Sequence, residues 1–223
     1  MKVLATIFTV VAILSITPLA HADTIDLGNS GWQAVITDPA NVGILIDADT
    51  DNFVMIEIIK TFAEPPESGV FAPITIDFNQ IAADGVTTAL IVLNDEIITN
   101  NTSSDWMDYH WLIEGPAAFQ ISTTEASGFD VSPFTNSVWT PKAGWTADFA
   151  SALNVDGGVV PAGSTFFPGV DAGYLVIQAD LTEQDSSFTL SQNPTPEPAT
   201  MLLLAAGLPI LARRRRRLAL TTV

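Results

Sequence analysis

The feature that most limits the fold of this chain is the rhythm of its middle section, where short apolar and β-branched runs are separated by proline, glycine and aspartate turn signals. The runs are Trp32 to Thr37, Val42 to Ile46, Phe53 to Phe62, Phe71 to Phe78, Thr88 to Ile98, Tyr109 to Ile113, Ala118 to Thr123, Gly173 to Leu181 and Ser187 to Leu190. Between them stand Asp38-Pro39, Glu64-Pro65-Pro66, Asp84-Gly85, Gly115-Pro116, Ser132-Pro133 and Asp156-Gly157-Gly158, each read as a turn. Strands of this length with this punctuation predict an all-β fold, an antiparallel β-sandwich of jelly-roll type. In Ile74-Thr75-Ile76-Asp77-Phe78 every second residue is apolar, as in a sheet with one wet face. Met55 to Ile59 and Ala89 to Leu93 are more continuously apolar and read as buried on both faces. Only Thr146 to Leu153 offers a helical alternative.

The two ends read as processing segments and are set apart from the fold. Lys2 provides a positive start, Val3 to Leu14 an apolar run, Pro18 a break, and Ala20-His21-Ala22 small residues at the positions a signal peptidase reads. The run is shorter than the ~20 residues a membrane-spanning helix needs. Residues 1–22 are therefore expected to be a signal helix cleaved after Ala22, and 23–193 a β-sandwich domain. Residues 194–198 read as a stiff extended linker, because proline biases its predecessor towards extended geometry.

Ala199 to Ala212 is a second short apolar run, and Arg213, Arg214, Arg215, Arg216 and Arg217 follow it. Such a cluster stays on the cytoplasmic side of an inner membrane, which leaves Pro196-Glu197-Pro198 on the outer face. Residues 199–217 are thus expected to be a membrane helix with its arginine cluster, and 218–223 a tail.

In that order, the Pro196-Glu197-Pro198 triplet, the Leu/Ala/Gly-rich run and the arginines resemble the PEP-CTERM sorting domain, over residues 196–217. Pro209 within the run and the residues after Arg217 depart from the pattern. The resemblance implies an exosortase, a membrane-embedded cysteine protease, as the partner that cuts near the triplet. It also implies a Gram-negative envelope and an exopolysaccharide or biofilm setting. The expected route is export through the inner membrane, transient anchoring there, then the cell surface or the exterior.

Charge and composition narrow the chemistry. The formal net charge is −17, yet six of the eight bases lie at the ends, namely Lys2 and the five arginines. Between Asp23 and Pro196 only Lys60 and Lys142 face 24 acids, so the body carries 2 − 24 = −22. Phosphate backbones are repelled by such a surface, which removes nucleic acid as a partner. With no cysteine there is no disulfide, thiolate metal site, cysteine nucleophile or lipidated cysteine.

Asp47, Asp49 and Asp51 alternate after an apolar run and suggest a calcium loop, since calcium takes several oxygen ligands. Asn52 and Ile58 stand where an EF-hand has glycine and glutamate, so the alternative is a solvated acidic turn. Trp106, Tyr109 and Trp111 form a dense aromatic cluster, suited either to stacking on sugar rings or to the core. Tyr109 and Trp111 share a face at strand spacing, which favours the core. His110 is the body's lone histidine, so polyhistidine zinc sites are absent, and no G-x-S-x-G elbow nominates a serine for a triad. No catalytic constellation stands out. The leading expectation is a non-enzymatic surface or matrix protein; a jelly-roll carbohydrate-binding module and a secreted hydrolase are the alternatives.

Overall fold

A computed structural model describes residues 22–67, 70–83, 85–122, 126, 128–182 and 186–196. The expected signal segment up to His21, with Ala20, as well as Glu197, Pro198, the expected membrane segment, Arg213 to Arg217 and the tail, lie outside the described residues. Among the described residues thirteen strands make up the body: β1 (Asp23–Asp26), β2 (Trp32–Ile36), β3 (Val42–Asp49), β4 (Phe53–Phe62), β5 (Ile74–Gln80), β6 (Leu90–Asn100) and β7 (Trp106–Glu114), followed by β8 (Ala117–Gln120), β9 (Asn136–Pro141), β10 (Phe149–Val160), β11 (Thr165–Phe166), β12 (Leu175–Ala179) and β13 (Ser187–Pro196). Among the described residues no helix is long and apolar enough to cross a membrane.

The all-β expectation holds. The strands join in one sheet ordered β1-β2-β5-β13-β7-β10-β8-β12-β6-β4-β3, with β11 on β6 and β9 on β10. This sheet curls into a nearly closed, barrel-like sandwich in which β4 and β6 face β7 and β13 across the core; a Lys60–Gln192 and a Trp111–Glu96 hydrogen bond cross between them. Pairing is antiparallel everywhere except between β4 and β6, which run parallel from Phe53↔Leu90 to Phe62↔Asn100. Parallel neighbours need a long crossover. Residues 63–89 supply it by laying β5 between β2 and β13 before the chain returns. The expectation of a purely antiparallel sandwich is corrected at this pair.

The core follows the pleat. Ile76 and Phe78 of β5 point inward, as the alternation in the sequence predicts. In β4, Val54, Ile56 and Ile58 are buried while Ile59 lies on the outer face, so Met55 to Ile59 is not buried on both faces. Ile91, Val92 and Leu93 of β6 are. Trp32 packs edge-on to Phe188, which stacks on Phe78 with ring centroids 4.8 Å apart.

Three further expectations change. Residues 149–153 belong to β10 rather than to a helix: Ala152 pairs with Leu112 of β7 and with Thr140 of β9, and neighbouring strands on both sides override the local pattern. Asp156-Gly157-Gly158 is a bulge within β10 and not a turn. Gly157 takes a φ of 78° there, a conformation glycine supplies without steric cost. Finally, β13 continues through Pro194, Thr195 and Pro196, which pair with Tyr109, Asp108 and Trp106. The segment read as the start of a linker is the end of a strand, because β7 runs beside it as a pairing partner as far as Trp106.

Candidate functional site

The acidic loop is not one site. Asp49 turns to the β1–β2 loop, where its Oδ2 accepts hydrogen bonds from Asn29 N (2.6 Å) and Asn29 Nδ2 (3.0 Å). Gly28 permits this approach, since a Cβ at that position would overlap the Asp49 carboxylate. Asp51 lies in a bend, beside a depression that it lines with Asn29 and Thr50. Asp47 alone joins a carboxylate cluster, and its companions are Glu57 and Asp95, with ligand oxygens all within 4.8 Å of one another. The trio proposed from sequence is thereby corrected to Asp47, Glu57 and Asp95.

Two neighbouring irregularities bring these three together. The β3–β4 register shifts between Ile46 and Ala48, and the β4–β6 register shifts between Ile56 and Ile58, so Asp47, Glu57 and Asp95 each sit at a break in the ladder. Bulges re-aim side chains in this way. Burial and the neighbouring charges of Asp95 and Asp47 raise the Glu57 pKa. Burial, Asp47 and Glu96 do the same for Asp95. Asn94 Nδ2 donates to Asp47 Oδ2 at 3.3 Å. The donor set is hard oxygen, of the kind calcium and magnesium take, but three carboxylates fall short of the six to eight oxygens that calcium gathers.

The aromatic cluster is core. Trp106, Tyr109 and Trp111 are each fully buried, so none presents a face to a sugar ring, and the glycan-contact reading is corrected. Tyr109 packs edge-on to Trp111 at 4.7 Å and to Phe166 at 5.6 Å, and Trp106 packs edge-on to Phe62 at 5.2 Å. Trp106 joins Tyr109 inside, despite the odd spacing, because the registers of β7 with β10 and with β13 both shift next to it.

Enclosed by these rings is a polar group that the sequence reading missed. Lys60 (0% exposed), Glu96 (1%) and Gln192 (1%) meet in the core from β4, β6 and β13. Lys60 Nζ lies 2.6 Å from Glu96 Oε1 and also donates to Gln192 Oε1. Gln192 Nε2 donates to the same Glu96 oxygen at 2.9 Å, Tyr109 O–H donates to Gln192 Oε1 at 3.1 Å, and Trp111 Nε1 donates to Glu96 Oε2 at 2.7 Å. Burial pushes the Lys60 ammonium down, against the pull of Glu96. Burial, with the Glu96 charge behind it, raises the Tyr109 phenol well above its ordinary value. A lysine at an inward position of an apolar strand was the available signal: Lys60 keeps the phase of Val54, Ile56 and Ile58.

His110 spends both ring nitrogens on neighbours. Nδ1 lies 2.7 Å from Asn154 Oδ1, and Nε2 lies 3.2 Å from Asp108 Oδ1. The Asp108 bond is the main cause of the raised His110 pKa. Burial works to raise the Asp108 pKa, but hydrogen bonds from His110 and Thr195 outweigh it and hold the carboxyl low. Among the described residues the hydrogen-bond partners of the ring are an amide and a carboxylate, where a Ser-His-Asp triad has a hydroxyl and a carboxylate. An apolar cleft of about 190 Å³, lined by Val42, Phe62, Phe71, Pro73 and Ile74 with Asp38 and Glu64, is smaller than ordinary ligand pockets. Pro196, the first residue of the Pro196-Glu197-Pro198 triplet, closes β13. Compared with known proteins, the chain matches no family model, no curated protein and no solved structure.

Proposed function

We propose that this protein is an exported, non-enzymatic component of the cell surface or extracellular matrix, in a Gram-negative exopolysaccharide or biofilm setting, delivered by a PEP-CTERM-type sorting signal. The observation that carries this reading is the ordered set at the C-terminus, Pro196-Glu197-Pro198, the apolar run and Arg213 to Arg217, in a chain whose first 22 residues read as a secretory signal. Signal peptidase acts after Ala22, and an exosortase acts near the triplet while the apolar run rests in the inner membrane. The body is of jelly-roll type with a parallel β4–β6 pair.

Two features of the body support a non-enzymatic role. The residues nominated for sugar stacking are interior, and His110 is engaged by Asp108 and Asn154. The charge distribution supports a soluble matrix component: Lys60 is in the core, which leaves Lys142, a donor to Gly115 O at 2.8 Å, against the acids of the body's outer surface.

Localisation in a wild-type and an exosortase-deficient strain tests the proposal. The expected result is release of a form lacking Arg213 to Arg217 from the wild type, and retention of the full C-terminus in the membrane of the deficient strain. A released wild-type protein that still ends at Val223 would overturn it.

A further inference from the structure

A lysine–glutamate pair in a dry core is an expensive arrangement. Removing two charges from water costs more than their attraction returns unless every remaining lone pair and proton is satisfied, and apolar residues of similar volume do as well or better. The chain has only two lysines between Asp23 and Pro196, and it commits one of them here. Around Lys60 the neighbours are not arbitrary. They comprise an amine, a primary carboxamide, a carboxylate that touches both, and a phenol aimed at the carboxamide oxygen. Aromatic rings wall the group off: Tyr109 and Trp111 pack against each other and against Phe166.

The geometry points to an autocatalytic intramolecular isopeptide bond between Lys60 Nζ and Gln192 Cδ, with Glu96 as the proton carrier. Nζ is already in contact with the Gln192 carbonyl oxygen, one bond from the carbon it attacks. Held reactants of this kind gain the large effective concentrations of intramolecular reactions.

The steps balance without an added reagent. Glu96, 2.6 Å from Nζ, takes a proton from the Lys60 ammonium, giving a carboxylic acid and the neutral amine that burial of Lys60 favours. The amine lone pair forms the Nζ–Cδ bond, and the carbonyl pair moves onto Oε1, where the Tyr109 O–H stands 3.1 Å away to hold the oxyanion. Glu96 Oε1 is within 2.6 Å of Nζ and 2.9 Å of Nε2, so one oxygen can give its proton to the leaving nitrogen and recover one from Nζ. The Cδ–Nε2 bond breaks, ammonia departs, and the secondary amide remains beside a neutral Glu96. No net charge is left in the core. Nothing is oxidised or reduced.

The bond would tie β4 to β13 across the sandwich, closing positions separated by 132 residues. It would lock a cysteine-free body covalently, at the strand that leads into the C-terminal segment.

Peptide mass spectrometry on the purified, denatured full chain or its exported form decides the matter. The expected result is a peptide joining the Lys60 and Gln192 segments, about 17 Da lighter than the two together, as loss of ammonia requires. Trypsin should cleave after Lys142 and not after Lys60. Readout on the joined peptide is indifferent to trimming at the chain ends. Glu96→Gln should return both segments unjoined, with trypsin cleaving after Lys60. Complete cleavage after Lys60 in the wild-type protein, or an ammonia loss that maps to an asparagine instead, would overturn the proposal. The wild-type measurement stands alone if the variant fails to fold.

Discussion

Replacing Glu57 with Gln should stabilise the domain at neutral pH. In the native structure the Glu57, Asp47 and Asp95 carboxylates lie within 4.8 Å of one another. Two like-charge pairs at that distance cost about 1 kcal/mol each at the dielectric of water, and several-fold more in a partly shielded setting. Asp47 is exposed while Glu57 and Asp95 are half-buried, so the water-like figure is a lower bound, and physiological salt roughly halves it. Glu57→Gln removes both of its pairs while keeping the side-chain shape. The gain is then about 1 kcal/mol, or about 2–4 °C in Tm for a domain of this size. The sign follows from the raised pKa of Glu57: the folded state holds its proton more tightly than the unfolded chain. The destabilisation is therefore complete above the folded pKa and is relieved as pH falls through it. Differential scanning calorimetry at pH 7 and pH 4, at low and at physiological salt, reads all of this. The variant should exceed wild type at pH 7, most clearly at low salt, and the two should converge at pH 4. A variant equal to wild type or less stable at pH 7 and low salt would refute the argument that these carboxylates repel across the bulges.

The Asp108–His110 pair should shape the neutral side of the stability profile. The raised His110 pKa means its contribution is full below the unfolded value of about 6.5 and is lost as pH rises through the folded one. Thermal melts from pH 5.5 to 8.5 should show a decline of about 0.5–1 kcal/mol that His110→Gln flattens. Trp111→Phe leaves Glu96 Oε2 without its 2.7 Å donor in a dry site, and chemical denaturation should show a loss of about 1–3 kcal/mol. At Gly115 the φ is 92° and a Cβ would meet Ser187 O at 2.9 Å. Gly115→Ala should lower stability by at least about 1 kcal/mol in the same assay.

The strands that pack on one face by strict alternation were legible in the sequence, and the irregular ones were not. Phe53 to Phe62 reads as a strand from its β-branched and aromatic content, and β4 has those same bounds. In contrast β10, which pairs with β7, β8 and β9, escaped notice: two glycines interrupt it and alanines dilute its apolar pattern, while its partners supply the order. The inward direction of Tyr109 and Trp111 followed from their spacing. That of Trp106 did not, because a register shift changes the phase between Trp106 and Asp108. The carboxylate cluster was hidden for the same reason. Asp47, Asp49 and Asp51 are near in sequence, but Glu57 and Asp95 reach Asp47 only through two bulges, which leave no periodic mark. Lys60 kept the phase of buried residues, yet its partners Glu96 and Gln192 lie far along the chain.

The placement of charge connects these observations. Of the two lysines of the body, Lys60 is withdrawn into the core, and Lys142, partly exposed, donates to the carbonyls of Ile113 and Gly115. The charge that faces outward is acidic, including at the sheet edges: β1 carries Asp23 and Asp26, and β3 carries Asp47 and Asp49 beside exposed Leu45 and Ile46. Unpaired edges are templates for association with another chain, and charged side chains or bulges on them prevent it. A cysteine-free body gains solubility from this arrangement and loses stability to self-repulsion, and like charge adds to burial in raising the Glu57 and Asp95 pKa values. The interior compensates with large aromatic contacts around a polar group tied across the two halves of the sandwich. A surface of one sign also restricts what the body can meet. An anionic polysaccharide can approach it only through bridging cations or neutral hydrogen bonds, so attachment to an acidic matrix would strengthen with divalent ions, whereas a neutral glycan would bind independently of them.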